Sequence, residues 1–218
     1  MKNFQVRIPL IVFSAIIIVA ISMSSCANGS NDNDWAKENL VGKVKSIKWT
    51  YPGELQKLVI FNKNGNIIEE KDYDSDGSLQ SKVTYKYYNK RNLVEGNVYQ
   101  SDGSLQWQLI FDLDDKGNPI ERKRYRSDGS LYSKLTLKYD YNGNIIEMAE
   151  YQSDGSLMQK GTYKYDDKGN NVEVAVYQSD GSLATKTTYK YDGKGNITVK
   201  NEYGSYGNLI ERRTYKYD

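Results

Sequence analysis

The pentapeptide SDGSL begins at Ser75, Ser101, Ser127, Ser153 and Ser179, each 26 residues after the last. A degraded copy, SYGNL, begins at Ser205, again 26 residues on. Asparagine runs in phase at Asn66, Asn92, Asn118, Asn144, Asn170 and Asn196, preceded by Gly everywhere except at Arg91. A fixed period of this size means one supersecondary unit stacked on copies of itself, and it decides the architecture before any single residue does. Each unit carries two turn signals about half a period apart, Ser-Asp-Gly-Ser and Asp-x-Lys-Gly-Asn. Gly supplies the positive φ that tight turns need, and Asp and Asn bond back to the local backbone. Between the turns lie runs such as LMQKGTYKYD (157–166) and NVEVAVY (171–177), rich in Thr, Tyr and Val and alternating in polarity. Short Gly-containing turns join antiparallel neighbours, whereas parallel strands need crossovers of a dozen residues or more.

These signals predict an all-β chain of tandem 26-residue β-hairpins, two strands per unit. A diverged copy occupies residues 49–74, complete copies start at 75, 101, 127, 153 and 179, and a partial copy fills 205–218. Residues 39–49 (NLVGKVKSIKW) read as a first strand, and 35–38 as a short helical turn. The total is about 14 strands in an antiparallel meander, and the repeat domain spans 39–218. Open twisted sheets seldom exceed about 10 strands without curling or splitting, so both a curled shell and an extended ribbon stay open. Within a unit, Leu157, Tyr163 and Tyr165 share one parity and Lys160, Thr162 and Lys164 the other. The tyrosines that close the units (Tyr99, Tyr125, Tyr151, Tyr177, Tyr203) fall on the side of the central Tyr pair in one hairpin register and opposite it in another.

The first 26 residues carry an address. Lys2 and Arg7 precede a 14-residue apolar run at 8–21, broken only by Pro9 and Ser14. A membrane-spanning helix needs about 20 residues, so the run reads as a secretory signal peptide covering 1–25. Met23-Ser24-Ser25-Cys26 follows, and Cys26 is the sole Cys. Small residues before a lone Cys resemble the lipobox of bacterial lipoproteins, which implies cleavage before Cys26 and acylation of that residue. Each buried methylene adds about 0.8 kcal/mol, so several acyl chains on Cys26 anchor the chain stably. Residues 26–38 then form the lipidated start and a flexible polar tether. The expected place is the bacterial envelope, at the outer membrane, facing the periplasm or the surface.

YKYDDKGN (163–170) and YKYDGKGN (189–196), each leading into a strand, resemble the YD repeats of Rhs proteins. The alternating pattern of turn Gly and paired Tyr is also similar to MORN-type repeats. This resemblance covers about 51–218. It implies β-shells or extended sheets, and carbohydrate or cell-surface binding. The long array and toxin domain of large Rhs proteins are not expected.

Composition narrows the chemistry. Removing residues 1–25 takes Lys2 and Arg7 with it and leaves 28 basic against 28 acidic residues, without the excess expected of a nucleic-acid binder. With no His and one Cys, the usual general base and Cys-cluster metal sites are missing. Asp74-Ser75-Asp76-Gly77 resembles the start of a calcium loop, but only this unit has Asp before the Ser, and a hairpin turn explains every copy. Glu69, Glu95, Glu121, Glu147 and Glu173 recur at 26-residue steps, so they form a ladder rather than the asymmetric pair catalysis requires. Recurring Lys86, Lys138, Lys164, Lys190 and Lys216 are their expected cross-strand partners. No catalytic residue, metal or cofactor is expected.

The chain has 20 Tyr. Tyr85, Tyr87, Tyr139, Tyr163, Tyr165, Tyr189 and Tyr191, with Trp107, are the candidate packing and ligand face. Rings in sheets usually pack, and evenly repeated rings also suit a platform for sugar rings or a partner protein. The expected function is a non-catalytic binding module for glycans or cell-surface polymers. The alternative is a structural or protein-interaction scaffold that pairs through an open terminal strand.

Overall fold

The computed structural model describes residues 43–50, 56–88 and 92–218. The expected signal peptide, Cys26, the tether and residues 39–42 of the expected first strand lie outside the described residues.

The strands are β1 (Ser46–Trp49), β2 (Gln56–Phe61), β3 (Ile67–Tyr73), β4 (Leu79–Tyr87), β5 (Leu93–Tyr99), β6 (Leu105–Leu113) and β7 (Pro119–Arg126). They continue as β8 (Leu131–Tyr139), β9 (Ile145–Gln152), β10 (Leu157–Tyr165), β11 (Asn171–Gln178), β12 (Leu183–Tyr191), β13 (Ile197–Tyr203) and β14 (Leu209–Thr214). All fourteen lie in one sheet in chain order, each antiparallel to the next. The described residues are therefore all-β, an open meander of hairpins with no helix.

Two turn designs repeat. In the Asn-containing turn, Asp166 N–H donates to the Asn170 carbonyl at 2.9 Å and Gly169 N–H returns to the Asp166 carbonyl at 2.9 Å. The Asp166 carboxylate then accepts from the Lys168 and Asn170 amides at 3.0 and 2.8 Å and from the Asn170 side chain at 2.9 Å. Asp114, Asp140 and Asp192 repeat this set. In the Ser-containing turn, Gly155 N–H donates to the Gln152 carbonyl at 3.1 Å while Asp154 accepts from the Ser156 amide at 2.8 Å. Gly169 and Gly155 sit at φ +82° and +86°, the left-handed position that a three-residue hairpin loop requires.

The sheet stays open because nothing on it rewards closure. β1 and β14 are its two edges, and the strands pack on their sequence neighbours. Val59, Phe61, Phe111, Leu135, Leu137 and Val174 are buried on one face, Ala149 and Ala175 on the other, and no large side chain among the described residues is fully buried. A closed shell would move Glu, Lys and Thr side chains of one face out of water at substantial cost. Stability therefore comes from ladders within the sheet, each strand supported by the strand before and after it.

Candidate functional site

The register settles which tyrosines share a face. Tyr163 lies opposite Val174, and Lys160 opposite Tyr177. Val174 and Tyr177 are three residues apart on β11, so their side chains point to opposite faces. The unit-closing tyrosines thus lie across the sheet from the central pair. All eight aromatic residues singled out from the sequence, Tyr85, Tyr87, Trp107, Tyr139, Tyr163, Tyr165, Tyr189 and Tyr191, fall on one face.

On that face the second Tyr of each pair is a clamp. Tyr87, Tyr139, Tyr165, Tyr191 and Tyr217 donate their hydroxyls to the backbone carbonyls of Ile67, Pro119, Ile145, Asn171 and Ile197, each twenty residues earlier, at 2.6–2.9 Å. The carbonyl belongs to the start of the neighbouring hairpin, so each clamp ties one unit to the preceding one. The first Tyr is more varied: Tyr85 donates to Glu70 Oε1 at 2.7 Å and Tyr163 to Met148 Sδ at 3.3 Å. Burial pushes the hydroxyls of Tyr163, Tyr165, Tyr189 and Tyr191 above the ordinary phenol range. These rings are half-buried and committed to packing.

The opposite face repeats a different pair. The ammonium groups of Lys82, Lys134, Lys160 and Lys186 sit 4.2, 5.3, 5.5 and 4.8 Å from the ring centroids of Tyr99, Tyr151, Tyr177 and Tyr203. The Glu ladder shares this face. Lys138 and Lys164 pair with Glu147 and Glu173 at 2.8 Å, and Lys86 with Glu95 at 3.6 Å. Their hydrogen bonds to those carboxylates raise the Lys138 and Lys164 pKa values. Glu147 also reaches Lys160 at 3.9 Å, so one carboxylate bridges β8 and β10 across β9. Water screens these exposed pairs, so each adds little to stability. The result is a regular lattice of lysine arms, phenol rings and neutralised carboxylates.

One stretch breaks the repeat. β7 places Arg122, Arg124 and Arg126 on the tyrosine-clamp face, where other units carry residues such as Met148 and Glu150 or Val174 and Val176. The Arg124 guanidinium carbon lies 3.7 Å from the Trp107 ring centroid and 5.1 Å from that of Tyr132, and the two rings are 5.1 Å apart. Trp107 is therefore covered by Arg124 rather than open as a platform. The alternating Arg-x-Arg-x-Arg of residues 122–126 is the signal in the sequence that marks this patch. The lysine–tyrosine stacks could not be read there, because they depend on the hairpin register.

No protein-family model and no curated protein matches the chain. Among solved structures it is similar to a chain of the Photorhabdus luminescens Tc holotoxin pore, at 15% identity and a TM-score of 0.42, over 86% of this chain and 10% of that one. It is also similar to a chain of the TcdB2–TccC3 structure, at 16% identity and a TM-score of 0.43, over 86% of this chain and 11% of the other. A porin-like protein from Bacteroides uniformis aligns at 12% identity and a TM-score of 0.35, over 73% of this chain and 88% of that one. The chain spans about a tenth of the length of the Tc toxin chains it matches, and likeness at these scores carries no argument about function.

Proposed function

We propose that this chain is a non-catalytic binding module of the bacterial envelope. It is held to a membrane by acyl chains on Cys26 and takes an extended glycan on its lysine–tyrosine face. The observation that supports this reading is the recurrence of one Lys-over-Tyr pair at four positions along one open face. Two strand spacings of about 4.8 Å set successive units about 10 Å apart. That spacing is comparable with one disaccharide of an extended polysaccharide. A lysine over an exposed ring is worth about 0.5–1 kcal/mol, so the arm swings aside at small cost and its ammonium donates to sugar hydroxyls. Each contact is weak, and a polymer gains through effective concentration over several units. The repeated Glu residues are paired with lysines, which suits a structural lattice better than acid–base catalysis.

Affinity electrophoresis through neutral glycans, with the triple variant Tyr151→Ala, Tyr177→Ala, Tyr203→Ala, tests the reading. Retardation of the wild type that the variant loses while its unfolding midpoint stays close supports it; equal retardation of both proteins rejects it. Cys26→Ser should move the protein from the membrane fraction to the soluble one. A second reading, a scaffold that joins partners by strand addition, is favoured by β14. That strand is an edge of this sheet and exposes Leu209 and Ile210 at 51% and 66%.

A further inference from the structure

We infer that Arg122, Arg124 and Arg126, held by Trp107 and Tyr132, form a site for the carboxylate or sulfate groups of an acidic polysaccharide lying across β6 to β8. The site is on the opposite face from the lysine–tyrosine stacks, goes beyond the reading given above and does not depend on it.

Three guanidiniums of the same parity on one strand repel one another, and the fold does little to neutralise them. Arg122 lies between Phe111 and Leu135 in the register, both buried, and its Nε is buried without a hydrogen-bond partner. Desolvation lowers its pKa, yet a guanidinium stays charged. The acid that acts on both Arg122 and Arg124 is Glu150 of β9, which itself accepts from Gln159 at 3.5 Å. Arg124 spends its flat face on Trp107 and Tyr132, and Arg126 stacks 4.7 Å from the Tyr132 centroid. Ser130 Oγ and the Leu131 carbonyl accept from Arg126 Nη1 at 3.2 and 3.3 Å. Stacking fixes the planes and leaves N–H edges for an oxyanion, the geometry in which Arg binds carboxylate or sulfate with two parallel bonds.

The occupant follows from how local the charge is. Nucleic acid presents a phosphate about every 1.7 Å of duplex and calls for a long basic track. Here the basic strand is a single one, with Glu150 two strands away and Glu70 and Asp72 on the same face of β3. An acidic polysaccharide, with its charges spaced one or two sugars apart, fits three arginines on one strand.

The test is affinity electrophoresis at low ionic strength with polygalacturonate, dextran sulfate, uncharged dextran and duplex DNA. The wild type should bind one or both acidic polymers, and which one identifies carboxylate or sulfate as the group. It should bind DNA more weakly, and loss of the arginines should leave its behaviour in dextran unchanged. R124Q/R126Q should weaken acidic-polymer binding by about tenfold or more with an unchanged unfolding midpoint. R124K, which keeps the charge but not the planar fork, should fall between the two. K168Q/K194Q, in exposed turns away from β7, should bind acidic polymer like the wild type. Loss in the lysine variant with retention in R124Q/R126Q, equal or tighter binding of DNA, or no binding to either acidic polymer overturns the assignment.

Discussion

The Tyr165 hydroxyl donates to the backbone carbonyl of Ile145, 2.9 Å away and twenty residues earlier in the chain. The bond closes over the neighbouring hairpin and recurs in four other units. Removing a part-buried hydrogen bond of this kind costs about 0.5–1.5 kcal/mol, so Tyr165→Phe should lower stability in urea by that amount. Tyr217→Phe should cost less, because Tyr217 is 55% exposed and water replaces its partner. Leu113 stands where the other units carry the clamp, and Leu113→Tyr should gain part of the same amount by reaching the Leu93 carbonyl.

The turns are the second point of attack. Gly169 has φ +82°, and a Cβ added there meets nothing within 4 Å. Any loss in Gly169→Ala is therefore backbone strain alone, about 1–2 kcal/mol, and Gly169→Asn should lose less. Asp166→Asn should be nearly neutral at neutral pH, because Asn62 already does this work, accepting from the Asn64 and Asn66 amides at 2.9 and 3.1 Å. Asp166→Ala should destabilise, since it leaves the Lys168 and Asn170 amides without their acceptor. Urea midpoints of the four variants check the order.

The turns and strands were legible because each rests on a few residues close in sequence: Asp, Gly and Asn at fixed offsets, with Tyr and Thr alternating between them. The side of the sheet on which Tyr177 lies was not legible. Bulges shift the register between Lys164 and Tyr165 and between Val176 and Tyr177, and a one-residue slip exchanges the faces of everything beyond it. The Lys160–Tyr177 stack exists only in the register that results. Trp107 was legible as an unusual ring but not as a covered one, because Arg124, which covers it, comes from the next strand. Whether the sheet would curl depended on how little apolar surface each face offers, a balance summed over all the units that no single unit displays.

Deletion of one unit tests how independent the units are. Residues 153–178 run from one Ser-Asp-Gly-Ser turn to the next and include β10 and β11. Removing them rejoins Gln152 to Ser179, so the turn sequence at the junction is kept. Nearest-neighbour energetics predict a folded, shorter sheet with a lower urea slope and a modest loss of stability. Aggregation or loss of the far-ultraviolet β signal would show that the sheet is cooperative over more than neighbouring units.

Acid should loosen the sheet at its turns. The Asp166 carboxylate is held below its ordinary value of 3.8 by the Asn170 side chain, and Asp192 by the Asn196 amide. Asp154 and Asp180 are held below it by the Ser156 and Ser182 hydroxyls. A carboxylate whose pKa is depressed by folding binds fewer protons folded than unfolded. Its contribution is therefore complete above the ordinary value and is lost as pH falls through the depressed one. Lys138 and Lys164, raised above 10.5 by Glu147 and Glu173, act in the opposite sense: their contribution is complete below that value and fades as pH rises through the raised one. Stability should therefore hold a plateau between the two ranges and fall at both ends. The acid limb belongs to the turns, so replacing Asp166 and Asp192 with Asn should flatten the fall in urea midpoint below about pH 4 while leaving the alkaline limb unchanged. An acid limb as steep in that double variant as in the wild type would place the loss outside these two turns.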